Sequence, residues 1–433
     1  MKQVYAVRSD KKFRLKYILH PAGKNIFFRF IPFYTLILFQ LFSISCSKKN
    51  TDSPVEPALQ SRGQLISSTL LGVYTAQSLQ QLVNPESSLI PTNLKIQYDV
   101  TAYKIEYCTV DPQGNLVIAS GCLSIPSGQT NLPLLSFHHG TTTLRSDVAS
   151  QNPIGDDTFE SVLTASLGYF SLQPDYLGFG SSAEPHPYLV AGALADEVVD
   201  FILACRSYAN SRNISLNGQV FLCGYSEGGF VTLAAQKEIE QNYSQAIKIT
   251  ASAPMAGPYD MLLTAQTILK ENIYPAPENM AFVFYAYNNI YVWNKLNYIF
   301  NSPYAENIPQ LFNGSYSTDQ IDAALPDSIN ELLKQTFIDS LLQNEEPTIT
   351  NAFINNSLIN WTPSSPTQFY QGDADEIVPY ENSVEAFNYF LSKGCNVKLT
   401  TIHGGTHESS GTPSFIDALT WFQSFELTKI SSN

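Results

Sequence analysis

Short apolar runs bounded by turn residues alternate along this chain with longer stretches of helical period. Ala102–Val110 and Leu116–Ile125 flank Asp111-Pro112-Gln113-Gly114, which predicts a β-hairpin. Leu132–Phe137 and Tyr169–Gln173 predict buried strands, with a short helix over Ser161–Leu167 between them and a long one over Tyr188–Tyr208. Gln219–Cys223 is a further apolar run, followed at helical spacing by Phe230–Ala235, and Ile247–Ala253 predicts the next strand. Leu65, Leu70, Leu71, Tyr74, Leu79 and Leu82 predict a helix over 64–82. Strands alternating with helices predict an α/β fold with a mostly parallel sheet. Residues 261–362 break the rhythm. They are helix-prone and rich in aromatics (Phe282, Phe284, Tyr285, Tyr287, Tyr291, Trp293, Tyr298, Phe300) and predict a helical cap inserted after the sixth strand of this count. The rhythm resumes with a strand at Gln368–Gln371, a helix over Glu381–Ser392, a strand at Val397–Ile402 and a helix over Pro413–Phe425.

Composition adds two constraints. Of 433 residues only 14% are charged, below the roughly 25% of ordinary soluble chains. Residues 1–45 hold eight Lys/Arg and one acidic residue, which leaves 16 basic and 37 acidic residues in the rest, net −21. That surface disfavours nucleic acid and anionic membrane surfaces as partners.

The basic amino-terminal region precedes an apolar run, Ile31–Ile44, that is short for a membrane span. The run ends at Ser43-Ile44-Ser45-Cys46, followed by Ser47-Lys48-Lys49. Small residues just before a cysteine resemble the bacterial lipoprotein signal, which implies lipidation of Cys46. A plain signal peptide or an amino-terminal anchor helix are the alternatives, and all three export the remainder. Of the other cysteines, Cys108 and Cys122 fall on the two hairpin strands and are a candidate disulfide. His403 and His407 have HxxxH spacing, but Gly404-Gly405 between them predicts a loop, and no third ligand lies near, so no metal is expected.

The candidate chemistry centres on Gly224-Tyr225-Ser226-Glu227-Gly228-Gly229. Gly-x-Ser-x-Gly between a predicted strand and a predicted helix is the nucleophile-elbow pattern. Alone it arises by chance about 0.15 times in such a chain, so the weight rests on its setting. Ser226 would project from the sheet edge, and the Glu227 N–H would point at an oxyanion. A serine needs a base, and histidine has the suitable pKa. The chain order Ser, then acid, then His leaves His403 or His407. His407 is favoured because Gly404-Gly405-Thr406 carries it beyond the strand end. Asp375, in Gly372-Asp373-Ala374-Asp375-Glu376-Ile377-Val378-Pro379, is the favoured orienting acid, with Asp373 and Glu376 as alternatives. The loop His139-Gly140-Thr141 is placed to give a second oxyanion donor, the N–H of Thr141 or Gly140, with His138 and His139 structural.

With these residues in place the chain resembles the α/β-hydrolase superfamily from about residue 100 onward, and within it most resembles the secretory lipase and esterase group. His139-Gly140, the elbow, and Asp375 with His407 carry the likeness, together with Asp175-Tyr176-Leu177-Gly178-Phe179-Gly180. The resemblance implies a serine carboxylic ester hydrolase working through an acyl-enzyme, with no cofactor, on a small-molecule or lipid ester. It divides the chain into a signal segment (1–45), a tether (46–63), a hydrolase core (64–260 and 363–433) and the cap (261–362). The expected location is the bacterial cell envelope, with a lipid on Cys46 as the membrane anchor. A serine peptidase like the prolyl oligopeptidases and a non-catalytic binding lipoprotein are the competing readings.

Overall fold

The computed structural model describes residues 61–83, 94–155 and 158–426; the signal segment, Cys46 and most of the tether lie outside them. Three strands come first: β1 (Leu65–Tyr74), β2 (Val100–Val110) and β3 (Leu116–Pro126), with α1 (Ala76–Leu82) after β1. The parallel part follows as β4 (Leu132–His138), α2 (Glu160–Ser166), β5 (Phe170–Pro174), α3 (Ala191–Ser211), β6 (Leu216–Tyr225), α4 (Glu227–Glu238) and β7 (Ala251–Met255). Eight helices are then inserted: α5 (Met261–Ile268), α6 (Pro277–Ile290), α7 (Leu296–Ile299), α8 (Tyr304–Leu311), α9 (Thr318–Asp322), α10 (Ile329–Leu332), α11 (Gln335–Leu342) and α12 (Pro347–Asn356). The sheet is completed by β8 (Thr367–Gly372), α13 (Glu381–Ser392), β9 (Val397–Ile402) and α14 (His407–Glu426).

The strands form one sheet in the order β1-β2-β3-β5-β4-β6-β7-β8-β9, antiparallel up to the β3–β5 pair and parallel from β5 to β9. From β4 the chain crosses to β5 on one side and then to β6 on the other. That reversal opens a crevice at the carboxyl ends of β4 and β6, where α/β sheets bind ligands. The central strands are buried on both faces, which explains their unbroken apolar runs. Leu134, Val220 and Leu222 pack with α3 and α4, while Leu135, Phe221 and Cys223 pack with Ala418, Leu419 and Phe422 of α14.

Four sequence expectations are corrected. Residues 65–74 form a strand rather than a helix. Their apolar residues fit neither period cleanly, and pairing with β2 decides the matter through a ladder with two register shifts. The helical insertion therefore follows the seventh strand rather than the sixth. Cys108 lies opposite Ile118, and Cys122 lies opposite Lys104, so the two do not face each other; both are buried free thiols. The long helix begins at Ala191, because Leu189 takes a positive φ of 55° that ends the preceding turn.

The crevice is narrow where α4 leaves β6. A Cβ on Gly228 would overlap the carbonyl of His138 at the end of β4, and one on Gly224 would overlap the carbonyl of Gly228. Gly192, in α3, has open space around it. Gly228→Ala is expected to cost about 3 kcal/mol or more, read as a lower urea midpoint. Gly192→Ala raises stability by up to about 1 kcal/mol in the same assay.

Candidate active site

Ser226 stands between β6 and α4 with φ 60° and ψ −121°, a strained conformation for a residue with a side chain. Its N–H donates to the Met255 carbonyl of β7 (2.9 Å), and its carbonyl accepts from the N–H groups of Gly229 and Phe230. The helix thus starts at Glu227, whose N–H finds no acceptor among the described residues. Gly140 passes over the turn: a Cβ on it would come to 3.8 Å from Ser226 Cβ. The next hydroxyl, Thr141 Oγ1, lies 2.9 Å from Tyr188 Oη.

His407 is the first residue of α14, a helix that starts six residues before the expected Pro413. Its Nε2 lies 2.9 Å from Ser226 Oγ, and its Nδ1 lies 2.9 and 3.0 Å from the two oxygens of Asp375. The Asp375 side chain is fully buried, and the His407 side chain is 16% exposed. Asp375 Oδ1 also accepts the N–H groups of Ile377 and Val378 (3.0 and 2.9 Å), and Oδ2 accepts from Gln371 Nε2 (3.1 Å). Those bonds fix the carboxylate and satisfy it as an anion. The Tyr225 hydroxyl donates to the His407 carbonyl (2.7 Å), holding the imidazole from the elbow side.

The rival residues lie elsewhere. His403 is exposed and pairs through Nδ1 with Asp373 Oδ2 at 2.8 Å. Asp373 also accepts the Gly404 N–H, and the His403 bond holds its carboxyl below the usual range. Glu376 accepts the N–H of His407 at the helix start (3.2 Å).

Sequence reasoning gave no role to His186. His186 is buried, with Nε2 2.7 Å from Glu227 Oε1 and Nδ1 2.8 Å from the Leu177 carbonyl. No local signal announces a pair separated by 41 positions. His139 faces two carbonyls, Gly140 and Asp175, and its own carbonyl accepts from Tyr176, so it clamps the loop over Ser226. His138 lies beneath. Thr232 already donates its hydroxyl proton to the Gly228 carbonyl, so His138 Nδ1–H donates to Thr232 Oγ1 (2.7 Å) and Nε2 accepts from Ser136. The ring is therefore neutral, and burial lowers its pKa to about 3.

A narrow cavity runs from Ser226 and Glu227 under the inserted helices, lined by Met261, Ile268, Met280 and Phe284. It encloses about 650 Å³ counting its mouth. Most of the expected cap aromatics pack elsewhere: Phe282 stacks between Tyr188 and Phe312, and Tyr287, Tyr291 and Trp293 pack together.

The secretory lipase family model matches residues 148–426, which include Ser226, Asp375 and His407. The chain belongs to the secretory lipase family. It is a carboxylic ester hydrolase of α/β-hydrolase fold, and the family is one of exported enzymes. A crystal structure of a Legionella pneumophila protein assigned as a hydrolase is 26% identical, with a TM-score of 0.80 over 85% of this chain and 100% of that one. The rice cell wall degrading esterase LipA from Xanthomonas oryzae is 27% identical, with a TM-score of 0.74 over 86% of this chain and 98% of that one. Candida antarctica lipase A in its closed state shares the fold at 16% identity, with a TM-score of 0.64 over 86% of this chain and 84% of that one. No curated protein sequence matches significantly.

The neutral His138 makes stability depend on acid. Its folded pKa lies below its ordinary 6.5, so its contribution is complete above 6.5 and is lost as pH falls from 6.5 toward 3. Each unit in that window costs about 1.4 kcal/mol. Melting temperature measured against pH should fall across the window in the wild type. His138→Asn, which keeps a donor toward Thr232, should show a flatter acid limb.

Proposed function

We propose that Ser226, His407 and Asp375 are the nucleophile, the base and the orienting acid of an acyl-enzyme mechanism. The observation that carries this is the 2.9 Å approach of His407 Nε2 to Ser226 Oγ, with a buried, fully bonded Asp375 behind the imidazole. Ser226 Oγ attacks the ester carbon while His407 takes its proton, and Asp375 stabilises the imidazolium. The oxyanion is held by the N–H of Glu227 on one side and by the N–H of Thr141 or Gly140 on the other. His407 then protonates the departing alcohol, and water repeats the sequence to release the acid. The inserted helices act as a cap, and the apolar slot beneath them takes the acyl chain. The same residues suit an amide in principle; family membership favours the ester.

The carboxylate bonds give Asp375 a defined role, so the variants separate. On p-nitrophenyl esters Ser226→Ala should lose about a millionfold in kcat, and Asp375→Asn about 10⁴-fold. Full activity in Ser226→Ala, or dipeptide amides cleaved faster than esters, would overturn the reading.

We also propose that Cys46 carries a lipid that anchors the exported enzyme to the bacterial envelope. The support is the apolar run ending in small residues before Cys46 and the polar segment after it. Wild-type protein should take up radiolabelled fatty acid and partition into detergent, and Cys46→Ala should do neither.

A further inference from the structure

A second cavity flanks the Ser226–His407 pair, between α2 and the first turns of α14. His407, Tyr225, Phe137, Phe159 and Phe415 line it. It encloses about 1360 Å³ counting its mouth, against about 650 Å³ for the slot. The two cavities share Ile377 as a wall. The slot is lined by Ser226 and Glu227 but not His407, whereas the groove is lined by His407 but not Ser226.

Acyl transfer assigns the two sides. The acyl carbon bonds to Ser226 Oγ and turns its oxygen toward the Glu227 N–H, so the acyl group extends into the slot. The leaving oxygen must take its proton from His407 Nε2, so the alcohol extends past the imidazole into the groove. We propose that this groove is the alcohol site, and that it selects a ring-bearing alcohol that is neutral or cationic; this rests on the triad reading above. Phe137 and Phe415 meet edge to face at 5.3 Å. Phe159 and Phe415 are only half-buried and offer ring surface to an occupant. Glu160, Glu376 and Glu408 also line the groove, and among the described residues no Lys or Arg does. An anionic alcohol therefore meets three carboxylates there.

The test reads the alcohol site through the reverse step. Vinyl butyrate acylates Ser226, and 2-phenylethanol and ethanol then compete at equal concentration. The alcohol oxygen adds to the acyl carbon, and its proton passes through His407 to Ser226 Oγ as the bond to serine breaks, releasing a butyrate ester. The expected product ratio favours 2-phenylethanol by about tenfold. Phe415→Ala and Phe159→Ala should each move that ratio toward one, a change that no uniform loss of folded enzyme produces. 3-(Hydroxymethyl)benzoate should be captured about tenfold less than benzyl alcohol, and Glu408→Gln should narrow the gap. Equal capture of 2-phenylethanol and ethanol by the wild type, or an unaltered ratio in both Phe variants, overturns the groove assignment alone. Failure to turn over vinyl butyrate overturns the triad reading, and the groove with it.

Discussion

The site depends on how closely three backbones approach at Ser226. The first turn of α4 lies so near the ends of β4 and β7 that Gly228 and Gly229 have no room for a Cβ beside the carbonyls of His138 and Met255. That closeness holds Ser226 at φ 60°, a state that costs about 1–3 kcal/mol and persists only where its surroundings over-determine it. Here they do: the Ser226 N–H is tied to β7, and its carbonyl takes two helix donors. With the backbone committed in this way, the Glu227 N–H has no acceptor among the described residues, and the serine hydroxyl is turned out of the sheet toward His407.

Behind the elbow, burial would be costly without hydrogen bonds, and each histidine there has them. His138 ties β4 to α4 through Thr232, His139 ties its loop to the strand end at Asp175, and His186 ties Glu227 to Leu177. Asp175 is buried with its carboxyl bonded to Ser120 and to the Ser150 N–H, yet burial raises its pKa. These bonds hold the Glu227 side chain and the Gly140 carbonyl in place on either side of the Ser226 turn.

Much of this was legible in the chain. Buried parallel strands leave continuous apolar runs, so β4 to β8 were readable to within a few residues, and the half-buried edge strand β9 was readable as well. Ser226, Asp375 and His407, singled out by chain order and loop placement, lie within hydrogen-bonding distance along the row Ser226–His407–Asp375. What escaped has a common cause. β1 is an edge strand whose mixed pattern acquires meaning only from β2. The start of α14 at His407 is set by Glu376 and Tyr225, which lie 31 and 182 positions away. His186 with Glu227 is likewise a long-range pair. The aromatics of the inserted helices mostly fill their own core, and few reach the slot.

The central claim is that one serine is made reactive by one histidine. Treating the enzyme with a fluorophosphonate and locating the adduct by peptide mass spectrometry tests it most directly. The account predicts a single phosphonylated residue, Ser226, with labelling slowed by orders of magnitude in His407→Gln. An adduct on another serine, or labelling of Ser226 at the same rate without the imidazole, would contradict it.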